Sequence, residues 1–269
     1  MTLRLAISTC PNDTFMFDAL IHKRVDTMGL DFELTMCDIE ELNQLADSSQ
    51  VDICKISYGV YPQLKGRFRI LSSGSALGRG NGPLLVSRHR LYKDELEGLK
   101  IAVPGLHTTA NMLMTRLFGD NFERKPYLFS DIADVVLDDE CEAGVLIHEG
   151  RFTYKNKGLS LVADLGAEWE RVTSLPLPLG AIVVNNELSQ EVSQKVDAVL
   201  RSSIEYAFAS PMASYAFVKS NARELSDEVL KSHIDLFVNE FSVELGDDGR
   251  RAVQELLGDK DPDIFLAQS

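Results

Sequence analysis

Apolar and polar residues alternate from the start of the chain. Leu3, Leu5 and Ile7 fall on one side of an extended segment, which predicts a strand over 3–7. Asn12 then reads as an N-cap for a helix over 13–21, and 32–36 as a second strand. Asp38 predicts another cap, for a helix that places Ile39, Leu42 and Leu45 on one face. A third strand spans 51–57. Strand–helix–strand–helix–strand order calls for a parallel sheet covered by helices.

The pattern breaks at 72–83, where four of the 18 glycines fall within twelve residues, and this segment reads as an irregular, bendable connection. A second α/β series follows. It has strands at 84–87, 100–104, 126–129 and 143–147, a helix at 110–118, and another starting at Asp131. A Pro-rich run over 175–180 leads into a strand at 181–186, and the last 80 residues read as helices starting at Ser189, Pro211, Ser226 and Asp248. Two α/β lobes joined twice are expected, residues 1–83 with 184–269 and residues 84–183, with a hinge of two crossings and a cleft between the lobes. This predicts the bilobal, type II periplasmic-binding-protein-like fold, in which ligands meet strand ends and helix N-termini. A fold of this kind does not by itself define a function.

Composition removes several classes. The 269 residues carry a net charge of −14, with 27 Lys+Arg against 41 Asp+Glu, which disfavours nucleic acid and anionic membranes as partners. No apolar run approaches the ~20 residues of a membrane span. The first residues lack the pattern of a signal peptide, so a cytoplasmic protein is expected. Cys10, Cys37, Cys54 and Cys141 form no C-x-x-C pair and read as reduced thiols. Neither a P-loop nor a nucleophile elbow is present. The five histidines show no metal-ligand spacing, and no metal is expected.

A few positions carry chemistry. His148 ends the apolar run Val145-Leu146-Ile147 at the edge where an α/β cleft forms. It reads either as a hydrogen-bonded surface histidine or as a general base. Thr108 and Thr109, beside His107, open a helix and serve either as caps or, with backbone N–H groups, as an anion site. Lys55 and Ser57 share one face of the third strand. A lysine inside an apolar strand either snorkels to water or serves an acidic ligand.

Several blocks in order carry a resemblance: Ser8-Thr9-Cys10-Pro11-Asn12-Asp13-Thr14-Phe15, Lys55-Ile56-Ser57-Tyr58, 74–80, 103–110, Ile147-His148-Glu149-Gly150-Arg151-Phe152-Thr153-Tyr154 and Leu175-Pro176-Leu177-Pro178-Leu179-Gly180. Over nearly the whole chain the sequence resembles the 1,4-dihydroxy-6-naphthoate synthase family of the futalosine route to menaquinone. The resemblance implies a carbon–carbon lyase without cofactor. Its substrate would be a small molecule, cyclic dehypoxanthinyl futalosine, and its products 1,4-dihydroxy-6-naphthoate and dihydroxyacetone. It implies His148 as catalytic base, with Lys55, Ile56, Ser57, Thr109 and Ala110 in contact with substrate. Leu106 replaces a basic residue of the family at what would be the cleft rim. The alternatives are chorismate dehydratase of the same route and a non-catalytic solute-binding protein.

Overall fold

The computed structural model describes residues 1–148, 150–222 and 225–267. The chain divides into two compact units, the first made of Met1–Gly78 with Pro178–Ser269 and the second of Arg79–Leu177.

The first unit begins β1 (Thr2–Ser8), α1 (Pro11–Ile21), β2 (Asp31–Cys37), α2 (Ile39–Asp47) and β3 (Ile53–Ser57). β1 pairs in parallel with both β2 and β3, as the strand–helix alternation requires. Asp38 caps α2, its Oδ1 accepting from the N–H groups of Glu40 and Glu41. α1 departs from expectation. Its N-cap is Cys10, which makes no side-chain cap bond, and Pro11 takes the first turn. Asn12 and Asp13 are therefore buried first-turn residues rather than caps.

Next come the short α3 (Tyr61–Leu64), β4 (Phe68–Ile70) and β5 (Ala76–Gly78). The stretch expected to be bendable is fastened instead. Ser73 Oγ donates to Asp197 Oδ1 at 2.8 Å, Ser72 Oγ accepts from Arg250 Nη2 at 2.8 Å, and Ser75 Oγ lies 3.0 Å from the Tyr58 hydroxyl. Gly74 has φ +82°, and a methyl there would lie 2.5 Å from Ile182 Cγ1. The glycine answers close packing as well as a turn.

The second unit holds β6 (Leu84–Ser87), β7 (Lys100–Val103), α4 (Thr109–Phe118), β8 (Glu123–Pro126), α5 (Ile132–Leu137), β9 (Ala143–Leu146), α6 (Gly150–Thr153), β10 (Ser160–Asp164) and α7 (Leu165–Thr173). Its sheet has the order β10-β6-β9-β7-β8, with β7 parallel to both β8 and β9. β8 starts earlier than the apolar run 126–129 suggests. It is an edge strand, where charged Glu123, Arg124 and Lys125 are tolerated and discourage pairing with another chain. Leu84, Val86, Ala102, Ile132, Val136 and Leu146 form this unit's core.

The chain returns to the first unit through β11 (Leu177–Asn185), antiparallel to β3 and β4 and also paired with β5. The strand begins before the expected 181, through Pro178, which precedes the stretch registered against β3. The helices α8 (Gln190–Ala209), α9 (Pro211–Asn221), α10 (Asp227–Phe237), α11 (Glu240–Val243) and α12 (Gly246–Leu257) complete the fold. Ser189 and Ser226 cap α8 and α10, and Pro211 starts α9, as read from the sequence. Leu3, Leu5, Ile7, Phe17, Ile182, Val199 and Leu200 build the first unit's core. Among the described residues no helix is long and apolar enough to cross a membrane.

Candidate active site

In each unit, two parallel neighbouring strands bring the expected residues to one sheet edge. That edge, at the carboxyl ends of the strands, is where α/β sheets take ligands. In the second unit, β7 leads through Gly105 to α4, and β9 leads to His148. Because β7 and β9 are adjacent and parallel, Thr109, Ala110 and His148 leave the same edge.

Thr108 is the N-cap of α4: its Oγ1 accepts from Asn111 N–H at 3.3 Å and donates to Gly105 O at 2.8 Å. Thr109 and Ala110 are the buried residues that open the helix. Their N–H groups lie ahead of Met112, whose N–H makes the first i→i−4 bond, to Thr108 O at 3.1 Å, and they point out of the positive end of the helix dipole. Exposed Leu106 lies in the preceding turn.

His148 is half-buried and has φ +52°. The left-handed region is uncommon for a side chain with Cβ, and a residue held there costs about 1–3 kcal/mol, a strain concentrated at functional sites. A turn closed by Gly150 N–H to Ile147 O at 3.2 Å holds this backbone. The Phe129 ring meets the imidazole edge-on, centroids 4.9 Å apart. Phe129 is available because β8 ends at Pro126, which leaves 127–129 in the loop at the strand's end.

Arg151 fastens the same loop. Its half-buried guanidinium donates to Gly82 O and faces Asp164 Oδ2 at 3.6 Å. Burial lowers its pKa, and the Asp164 carboxylate opposes that. Asp164 in turn caps α7 through Gly166 and Ala167 N–H. Glu149, part of the quoted motif, lies outside the described residues.

In the first unit, Lys55, Ile56 and Ser57 end β3 and are all buried. Lys55 does not snorkel: its side chain is only 6% exposed, and Nζ lies 3.2 Å from Oδ1 of fully buried Asp13. Removing one partner of such a buried pair costs about 3–5 kcal/mol. Asp13 Oδ2 also accepts from Ser8 N–H at 3.1 Å and Ser8 Oγ at 2.7 Å, and Oδ1 accepts from Asn12 Nδ2 at 2.9 Å. Asn12 Oδ1 lies 3.1 Å from Nε2 of buried His233, on α10. Ser57 N–H donates to Asn43 Oδ1 at 2.9 Å.

The ion pairing of Asp13 was not legible in the sequence, and neither was a role for Asn43, His233, Phe129 or Arg151. One signal was present for Asp13: a buried lysine in a strand needs an anion, and Asp13 follows the strand paired with β3. Among the described residues no group of three or more His, Cys, Asp or Glu is placed to hold a metal ion.

The sequence profile described as menaquinone biosynthesis matches residues 3–259. The chain belongs to this menaquinone-biosynthesis family. Two curated relatives, both named 1,4-dihydroxy-6-naphthoate synthase, fit that membership. The Thermus thermophilus protein is 44% identical over 99% of this chain and 97% of its own length. The Streptomyces coelicolor protein is 40% identical over 95% of this chain and 92% of its own length. Among solved structures, protein AF1704 of Archaeoglobus fulgidus superposes with a TM-score of 0.90 at 36% identity, covering 96% of each chain. The Candida albicans CA3427 product, described as having the generic periplasmic binding protein fold, has a TM-score of 0.70 at 16% identity, covering 100% of this chain and 98% of its own. This member of the menaquinone-biosynthesis family therefore has the periplasmic-binding-protein-like α/β fold expected from the sequence.

Proposed function

We propose that this chain is a cytoplasmic 1,4-dihydroxy-6-naphthoate synthase. In this reading it is a carbon–carbon lyase that converts cyclic dehypoxanthinyl futalosine into 1,4-dihydroxy-6-naphthoate and dihydroxyacetone without a cofactor. The near full-length identity of 44% to a curated synthase carries the reading. Proteins this alike, aligned end to end, share a fold, and the strand-end placement of His148 gives that fold a group suited to the chemistry.

His148 is the general base. It takes a proton from a substrate hydroxyl or acidic carbon and starts a retro-aldol-like cleavage. Formation of the aromatic naphthol drives the bond-breaking step. Thr109 and the N–H groups that open α4 stabilise oxygen charge as it develops, because fixed donors need no reorganisation during reaction. Lys55, Ile56 and Ser57 contact the substrate. The turn at Ile147, the Phe129 ring and the Arg151 tether fix where the imidazole points, and such orientation contributes to rate.

His148→Asn tests this directly. Asparagine tolerates positive φ, so the variant keeps the fold and its melting temperature, while dihydroxynaphthoate formation drops by about 10²–10⁴-fold, followed by fluorescence or chromatography. A variant with near-normal kcat removes His148 from the base role. Wild-type protein that returns the cyclic substrate unchanged sinks the reaction itself, and conversion of chorismate to its dehydrated enol ether reassigns it.

A further inference from the structure

We propose that the Lys55 ammonium receives the carboxylate of the substrate, and that Asp13 is the positioning residue that holds it in place. The inference rests on the reaction proposed above and adds which group meets the acid.

The donors at the end of β3 carry it. Lys55 Nζ is buried and, apart from its ionic contact with Asp13, makes no hydrogen bond among the described residues. An ammonium has three N–H donors and no acceptor. At the same strand end Asn43 holds Ser57 N–H through Oδ1, while its Nδ2 is buried with no partner among the described residues. Both groups left wanting are donors, so the chemistry that completes them is acceptor-only and a carboxylate fits.

Asp13 cannot turn away from Lys55. Its two oxygens already accept from Ser8 N–H, Ser8 Oγ and Asn12 Nδ2. The amide of Asn12 is itself set by His233 Nε2 at 3.1 Å. With the charge of Asp13 shared among these donors, the ammonium keeps attraction for a second carboxylate. Gly180, opposite Ser57 on β11, packs tightly beside the lysine: a methyl there would lie 2.8 Å from Ile56 O and 3.1 Å from Lys55 Cε, so any side chain would crowd the ammonium stem.

The test compares wild type, Lys55→Met, Asp13→Asn and the double variant. Each is assayed with the cyclic substrate and titrated calorimetrically with 2-naphthoate and neutral 2-naphthamide. Each single change should raise KM and weaken 2-naphthoate by about tenfold, with kcat falling less than about threefold. In the Lys55→Met background Asp13→Asn should add less than about twofold, because both act through one ammonium. 2-Naphthamide should bind all four proteins alike.

An Asp13→Asn effect undiminished without Lys55, or one confined to kcat, overturns the proposal, as does a wild type that does not bind 2-naphthoate. Ser8→Ala removes the 2.7 Å bond to Asp13, together with the 3.2 Å bond that Ser8 Oγ accepts from Cys10 N–H, and serves if Asp13→Asn does not fold; an unchanged KM in that variant also overturns it. Lys55-dependent naphthoate binding with the cyclic substrate left intact would remove the reaction and keep the receptor. Turnover without Lys55 dependence would do the reverse.

Discussion

At the scale of single residues, burial sets reactivity. Cys37 is pushed up to about 12, by burial first and then by Glu41 and Asp38, so at pH 8 only about one thiol in ten thousand is ionised. Burial raises Cys54 and Cys141 as well. Iodoacetamide at pH 8 should therefore leave Cys37, Cys54 and Cys141 unmodified in the folded protein and label all three in guanidinium, with mass spectrometry reading each site. His148 was legible because an apolar strand ended in an imidazole. Lys55 was legible because a charge interrupted an apolar strand. Asp13 was not: a polar residue just after a proline at a helix start reads equally as a cap and as a buried partner. Only the pairing of β1 with β3, a tertiary fact, separates the two.

At the scale of elements, the strand and helix order was readable because alternation and capping are local. Asp38, Ser189 and Ser226 cap the helices they were assigned. The failures share a cause: neighbours decide them. The run 126–129 looked like a strand from its apolar residues, yet the sheet edge takes Glu123–Pro126 and leaves Phe129 for the imidazole. The glycines of 72–83 looked like slack, yet Gly74 lies against Ile182 and Leu200. Gly74→Ala should therefore lose roughly 2–4 kcal/mol in urea unfolding, from a methyl forced into packed side chains at positive φ. A loss below about 0.5 kcal/mol would restore the picture of slack.

At the scale of the whole molecule, each unit has a core of its own. Ile132→Ala empties volume in the second unit and should cost about 2–5 kcal/mol there. Hydrogen exchange should then quicken across Arg79–Leu177 while α1, β1 and α8 keep their protection; equal quickening everywhere would show a single cooperative block. The pairing of β5 with β11 has a different consequence. The chain leaves the first unit just after β5 and re-enters it along β11, so exit and re-entry are neighbouring hydrogen-bonded strands, about 5 Å apart. Topologically the second unit is a cassette spliced into one seam of the first. A gene can exchange, enlarge or prune that cassette at two codon positions without rethreading the host sheet.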